Sequence, residues 1–436
     1  MPFALLLACN SSGPKIAVKP DDIPVLWANM TLFITKNTPA NSPTFASRAL
    51  GYIGLAMYES VVPGYNGYHS MAGQLNQLGP LPKPDAGRKY NWPLSLNAGQ
   101  AYILKAIYSQ TSDDNKRKID SLEEAIAQQL VLKEDDQKTN TRSVNFGRAI
   151  ARAIYGWSVS DGGHRGYLFN FDNKLVLPEK KGSWKAPFFA QTINHFPLHP
   201  HWGQNRTFLV RDTSPAIPEI IPYNTDSVSD CFKQFMAVYK ANTNLTTDQK
   251  AIALWWNDDP SETYTPPGHS YNLATIVIKN SKPGLIRSAE TYARVGMAVA
   301  DAFIICWKLK YIFFSERPSS YVSENIDDEW EPFWPDPPFP AFPSGHATQA
   351  SAVAEVLTDL YGEPYSFTDD SHTGRPMNAL RNVEYKSRKF SSFRDAAKET
   401  AYSRFLGGIH TAQDNAVGLE SGKTIGSHID ELKWTN

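Results

Sequence analysis

Helical periodicity runs through this chain in nine stretches, and no long segment alternates apolar and polar residues as a half-buried strand would. The stretches are 28–35, 47–60, 94–109, 113–130, 140–159, 247–256, 285–311, 347–360 and 393–406. Apolar stripes of that period can be buried only helix against helix, so the expected fold class is all-α. At 436 residues the chain is long enough for one large or two ordinary domains. A 42% apolar and 20% charged composition suits a packed core, and a net charge of −1 gives no general attraction to nucleic acid or an anionic membrane. The longest apolar runs, such as 302–307, are far shorter than the ~20 residues needed to span a bilayer. No internal repeat is visible.

Between 161 and 229 the chain turns rich in proline, glycine, asparagine and aromatics, as at Pro187, Phe188 and Phe189 and again from Pro197 to Trp202. Such aromatic density has to be buried, so this reads as a long ordered loop and not a linker. It divides an N-terminal helical half, 21–235, from a C-terminal bundle, 236–436. His199 and His201 lie in it without cysteine or carboxylate neighbours and read as structural. A second polar loop covers 367–392.

The last third of the chain concentrates chemistry in three spaced groups. Lys310 is followed by Arg317 and Pro318; then come Pro343, Ser344, Gly345 and His346; then Ser403 and Arg404 with His410 and Asp414. Two guanidiniums and an ammonium neutralise about three negative charges, and the arginine fork matches tetrahedral oxygens. Lys310 and Arg317 are seven residues apart, which on one helix is two turns, about 10 Å, with Pro318 as the stop. Ser344 and Gly345 open the helical stretch 347–360, where free N–H groups favour an anion and glycine admits close approach. Arg404 and His410 flank the Gly407-Gly408 break. Asp414 stands four residues after His410, a spacing that lets a carboxylate hold one ring nitrogen and raise the basicity of the other. Taken singly, each basic residue reads as a solvated surface charge and each histidine as a cap or core group. As an ordered set they read as a grip for a tetrahedral oxyanion.

In that order the groups resemble the motifs of the superfamily that contains the vanadium-dependent haloperoxidases and the type-2 phosphatidic acid phosphatases, bacterial acid phosphatases included. The motif region, 307–414, is about a quarter of the chain. The resemblance implies two helical-bundle halves and a vanadate cofactor, with His410 as the metal ligand. It implies a shell of Lys310, Arg317, Ser344, Gly345, His346 and Arg404, in which Lys310, His346 and His410 are catalytic and His346 moves protons. Trp307 and Phe339 resemble the aromatics on the halide side in fungal chloroperoxidases and bacterial iodoperoxidases; read alone, they are core aromatics. Asp258, ahead of Thr265, Pro266 and Pro267, resembles an aspartate that supports the histidines and arginines from behind, as does Asp414; Asp259 competes with Asp258 for that place. Minimal phosphatases of the superfamily need one bundle, and this chain has length for a second.

The activity implied is oxidation of halide by hydrogen peroxide to a hypohalous species, iodide first and bromide possible, with small organic acceptors. The alternative is a soluble acid phosphatase working through a phosphohistidine at His410 with His346 as general acid. A silent protein of the same fold is a third class, opposed by the full set of motif residues. Three cysteines, Cys9, Cys231 and Cys306, make no disulfide scaffold. Residues 3–10 resemble a bacterial lipoprotein signal, short and without preceding positive charge. Export is therefore expected, with a periplasmic or outer-membrane anchor on Cys9, membrane contact through that anchor alone, and 1–20 as signal and tether. Nothing in the sequence signals an oligomeric state.

Overall fold

The computed structural model describes residues 18–131, 137–187, 189–209 and 217–436. The segment with Cys9 and its lipoprotein-like surroundings, and Phe188, lie outside the described residues. Among the described residues there are thirteen α-helices and one antiparallel pair of three-residue strands. The helices are α1 Ile23–Lys36, α2 Pro43–Glu59, α3 Trp92–Ile107, α4 Asp113–Leu130, α5 Gln137–Ser158, α6 Asp230–Thr243, α7 Thr247–Trp255, α8 Thr265–Ser281, α9 Leu285–Phe313, α10 Pro318–Asn325, α11 Gly345–Tyr361, α12 Phe393–Leu406 and α13 Ala412–Asp430. Strands β1 Phe367–Asp369 and β2 Arg388–Phe390 pair inside the second polar loop. The molecule is all-α, as its periodicity requires. Side-chain oxygens cap many starts, among them Ser42, Asn91, Ser112, Ser229, Thr246, Ser344, Ser392 and Thr411.

Four helices escaped the periodicity: α6, α8, α10 and α13. In α8 and α10 the prolines that looked like stops stand in the first turn, where a missing N–H costs nothing. Pro318 therefore begins a helix. α9 ends at Phe313 with Phe314 in the left-handed conformation, and Arg317 is the N-cap of α10. Lys310 and Arg317 thus do not share a helix face; the chain turns between them. α13 is polar and glycine-spaced because it lies against the α11 backbone. A Cβ on Gly422 would sit 2.1 Å from the Thr348 carbonyl oxygen, and one on Gly418 would sit 2.8 Å from that of Ser344.

The long helix α9 is the axis of the molecule and is buried along most of its length. α2 packs along one side of it and α11 along another, with α13 beyond α11. α2 comes close because Gly54 meets the Tyr292 carbonyl and Gly296 meets that of Leu50. One continuous apolar cluster runs from Ile23 to Trp434. The two sequence halves on either side of residue 235 therefore share a core. A small satellite of Cys231, Phe235, Tyr321 and Val322 lies apart. The described part of the long loop is pinned inward. His199 bonds Thr44 and the Gly166 carbonyl and stacks on Trp202, while His201 faces Asp172. No helix among the described residues is long and apolar enough to cross a membrane.

Candidate oxyanion site

The break after α12 delivers His410. Gly408 takes a positive φ of 77°, reversing the chain, and Thr411 then caps α13. The cap is reciprocal: Thr411 Oγ1 accepts from the Asp414 N–H, and Asp414 Oδ2 accepts from the Thr411 N–H at 3.0 Å. The same Oδ2 lies 3.0 Å from His410 Nδ1. The carboxylate can only accept, so Nδ1 carries the proton. On the other side Arg317 Nη1, which can only donate, lies 3.1 Å from Nε2. His410 therefore presents an Nε2 lone pair. Burial, then the positive charges of Arg317, Lys310 and Arg404, hold its pKa well below the usual histidine range, so the ring is neutral. Asp414 also ties two motifs together, since its carbonyl accepts from the Ser344 N–H at 3.0 Å.

Lys310 is wholly buried near the end of α9, and its ammonium donates to the carbonyls of Pro340, Ala341 and Pro343 at 2.8, 2.6 and 2.7 Å. Arg317 donates to the carbonyls of Phe339, Pro340 and Ile409 as well as to His410. These two cations shape the proline-rich 335–343 segment and reach the site through their charge. Burial lowers the Lys310 pKa, and lowers Arg317 to about 10, which leaves the guanidinium charged at neutral pH.

Arg404 and His346 are placed differently. Arg404 spends Nη1 on the Trp256 carbonyl at 3.0 Å and lies over the Trp334 ring, while its buried Nε has no partner. Burial brings its pKa down to about 9, still a cation. His346, on the first turn of α11, has a buried Nε2 with no partner, and burial followed by the Arg404 charge holds its pKa well below 6.5. Ser344 Oγ takes the Ala347 N–H, leaving those of Gly345 and His346 without an intrahelical acceptor.

These groups meet at a cavity of about 610 Å3. Gly345, His346, Arg404 and His410 line it, whereas Lys310, Arg317 and Ser344 stand behind its wall. Trp307 and Phe339 form an aromatic side with ring centroids 4.9 Å apart, and Phe303 stacks on Trp307 at 5.2 Å. The Trp307 indole N–H is committed to the Leu198 carbonyl at 3.2 Å, so this residue offers the cavity its ring. The long loop completes the outer wall with Phe171, Gln191 and Leu198.

Residues 290–433 match the VCPO second helical-bundle domain. Over 327 residues the chain is 25% identical to the vanadium chloroperoxidase of Curvularia inaequalis, a match covering 58% of this chain and 52% of that protein. The chain thus spans about half the length of that curated relative. The crystal structure of a bacterial vanadium-dependent iodoperoxidase is similar with a TM-score of 0.80 at 26% identity, covering 96% of this chain and 97% of the other. The chain has the helical-bundle fold of the vanadium haloperoxidases. A bacterial vanadium-dependent chloroperoxidase in its holo form shares the fold alone, with a TM-score of 0.64 at 16% identity over 97% of this chain and 94% of that one.

On this haloperoxidase fold Asp258 keeps its side chain behind the cavity wall and acts on His346 and Arg404 through its charge, not through a bond. Its carboxylate bonds His269 and His372 and makes no bond to Arg404, His346 or His410. With φ at 53°, Asp258 is turned so that its side chain faces α8 and the strand loop. Asp259 is the aspartate that faces Arg404: burial raises its pKa to about 6, and the Arg404 charge opposes that rise. His269, His372 and Asp369 were missed altogether. They are scattered over more than a hundred residues of sequence, and no spacing links them.

Proposed function

We propose that this protein is a vanadate-dependent haloperoxidase that oxidises iodide, and bromide less well, with hydrogen peroxide. The observation that carries the reading is the His410 Nε2 lone pair, oriented by Asp414 and set among three cations at a cavity lined by the unpartnered Nε2 of His346 and Nε of Arg404. Unpaired polar atoms in a buried wall call for a polar occupant, and the surrounding charge calls for an anion. The residues fit vanadate: His410 Nε2 as its covalent ligand, with Arg404 Nε and the Gly345 and His346 N–H groups as donors. Bound there, vanadate supplies a Lewis acid that activates hydrogen peroxide without changing its own oxidation state.

The chain's own groups do the rest. Arg317 yields its contact with His410 Nε2 and keeps its carbonyl anchors. Lys310, fixed in its carbonyl cage, contributes positive charge that is not lost to water. His346, neutral at rest, takes a proton from peroxide and returns one to the leaving oxygen; the overall balance consumes peroxide, halide and one proton and yields hypohalous acid and water. Trp307 and Phe339 offer halide an apolar, polarisable side. The resemblance to an iodoperoxidase over nearly the whole chain supports iodide as the first substrate, and small electron-rich organic compounds as acceptors of the hypohalous product.

Metal-free protein should oxidise iodide with peroxide only after vanadate is added, with phosphate competing. Equal activity without vanadium would sink the reading. Phosphate-ester hydrolysis far above any peroxidase turnover would replace it with the phosphohistidine reaction at the same Nε2. Export as a lipoprotein acylated at Cys9 is part of the proposal; fatty-acid labelling that survives Cys9→Ala would remove it.

A further inference from the structure

Behind the cavity wall lies a buried cluster that the chemistry above leaves unused. Asp258 accepts from His269 Nδ1 at 2.8 Å through one oxygen and from His372 Nε2 at 2.9 Å through the other. His269 Nε2 lies 2.9 Å from Asp369 Oδ2, which also accepts the Trp255 indole N–H at 2.7 Å. All four residues are buried. Both nitrogens of His269 face carboxylates, so both carry hydrogen and the ring is an imidazolium. Burial works against that charge, but Asp258 and Asp369 outweigh it and lift the pKa to about 10.

The cluster holds one short strap, residues 255–259, between α7 and α8. Trp255 is tied by its indole to Asp369, and the Trp256 ring stacks on His269 with centroids 4.6 Å apart. The strap's other groups point at the cavity side. The Trp256 carbonyl holds Arg404 Nη1, the Asn257 carbonyl favours the ring N–H of His346, and the Asp259 charge faces Arg404. Asp258 is the anchor between them, in a left-handed conformation that an aspartate adopts at modest cost when its side chain is firmly bonded.

We propose that His269, His372 and Asp369 are positioning residues for the oxyanion chemistry: by gripping Asp258 they pin the 255–259 strap and so fix Arg404 and His346 against the cavity. The proposal rests on the vanadate reading of that cavity. The ligand atoms of Asp258, His269 and His372 lie within 4.8 Å of one another, a spacing a metal ion could also use. The hydrogen bonds that connect Asp258 to both rings suffice to tie the cluster together.

The test compares wild type with His269→Gln, Asp369→Asn and the conservative Asp369→Glu. Vanadate binding to metal-free protein is measured by calorimetry, iodide kinetics on the loaded enzyme, and folding by near-ultraviolet circular dichroism. The first two variants should bind vanadate at least tenfold more weakly and lose kcat, with KM for iodide within twofold, and Asp369→Glu should recover most of both. A residue that merely stabilised the fold would lower the melting temperature and leave affinity and kcat of the folded protein unchanged, and that result overturns the proposal. So would a stoichiometric transition metal whose removal by a chelator abolishes vanadate binding. Should His269→Gln fail to fold, His372→Gln on the strand loop carries the test: about threefold weaker vanadate binding is expected, and unchanged binding overturns it. Wild type that binds no vanadate at all overturns the reading of the cavity itself, and the proposal with it.

Discussion

His410 and His346 face one cavity with different obligations, and substitution should separate them. His410→Ala removes the lone pair that Asp414 aims, so retention of vanadate in a calorimetric titration should fall steeply. His346→Ala leaves the cations in place and should keep binding within a few-fold while kcat falls about 10²-fold or more, the usual scale for a lost proton-transfer group. Equal loss of binding in both would mean the roles are misassigned. Far from the cavity, His199 provides a pH probe. Burial depresses its pKa to about 4 from 6.5, so the unfolded chain takes up the proton first as pH falls. Its contribution is present above pH 6.5 and is lost on the way down to about 4. At 1.36 kcal/mol for each tenfold change in proton affinity, the fall from 6.5 to about 4 amounts to roughly 3 kcal/mol. Melting temperature should drop over that window, and His199→Asn should flatten the slope.

At the scale of elements, the seam between α11 and α13 sets where the motif residues stand. Gly422→Ala would place a methyl 2.1 Å from the Thr348 carbonyl oxygen, forcing the helices apart. The expected cost is about 1–3 kcal/mol, read as a lower denaturation midpoint, together with weaker vanadate binding because Ser344 and Asp414 move with the helices. Gly156 near the end of α5 meets nothing within 4 Å, so Gly156→Ala should instead stabilise by about 0.5–1 kcal/mol. Sequence made these elements unequally legible. The amphipathic stretch 113–130 coincides with α4, and 393–406 coincides with α12. α8, α10 and α13 were hidden because prolines in a first turn and glycines on a contact face look like punctuation until their partners are known. The oxyanion motifs were readable because their residue types carry chemistry at short spacing. The His269 cluster was not, since only tertiary folding brings 258, 269, 369 and 372 together.

For the whole molecule, the shared core decides how it comes apart. α2 lies along α9 with backbone contact at Gly54 and Gly296, so residues 236–436 expressed alone would expose the face of α9 that α2 covers. That fragment should fail to fold as a monomer, and the intact chain should melt in one calorimetric transition. Two well-separated transitions would show that the halves are independent after all. Heat should act on the site earlier than on this core. One carboxylate, that of Asp414, both fastens the opening turn of α13 and aims the His410 ring. Helix ends fray at temperatures where interiors hold, and each fraying excursion here leaves the imidazole free to spin. Catalysis should therefore fade reversibly on warming while the molecule is still folded, and return on cooling, so that the working temperature ceiling is set by the turn 410–414 and not by the melting point.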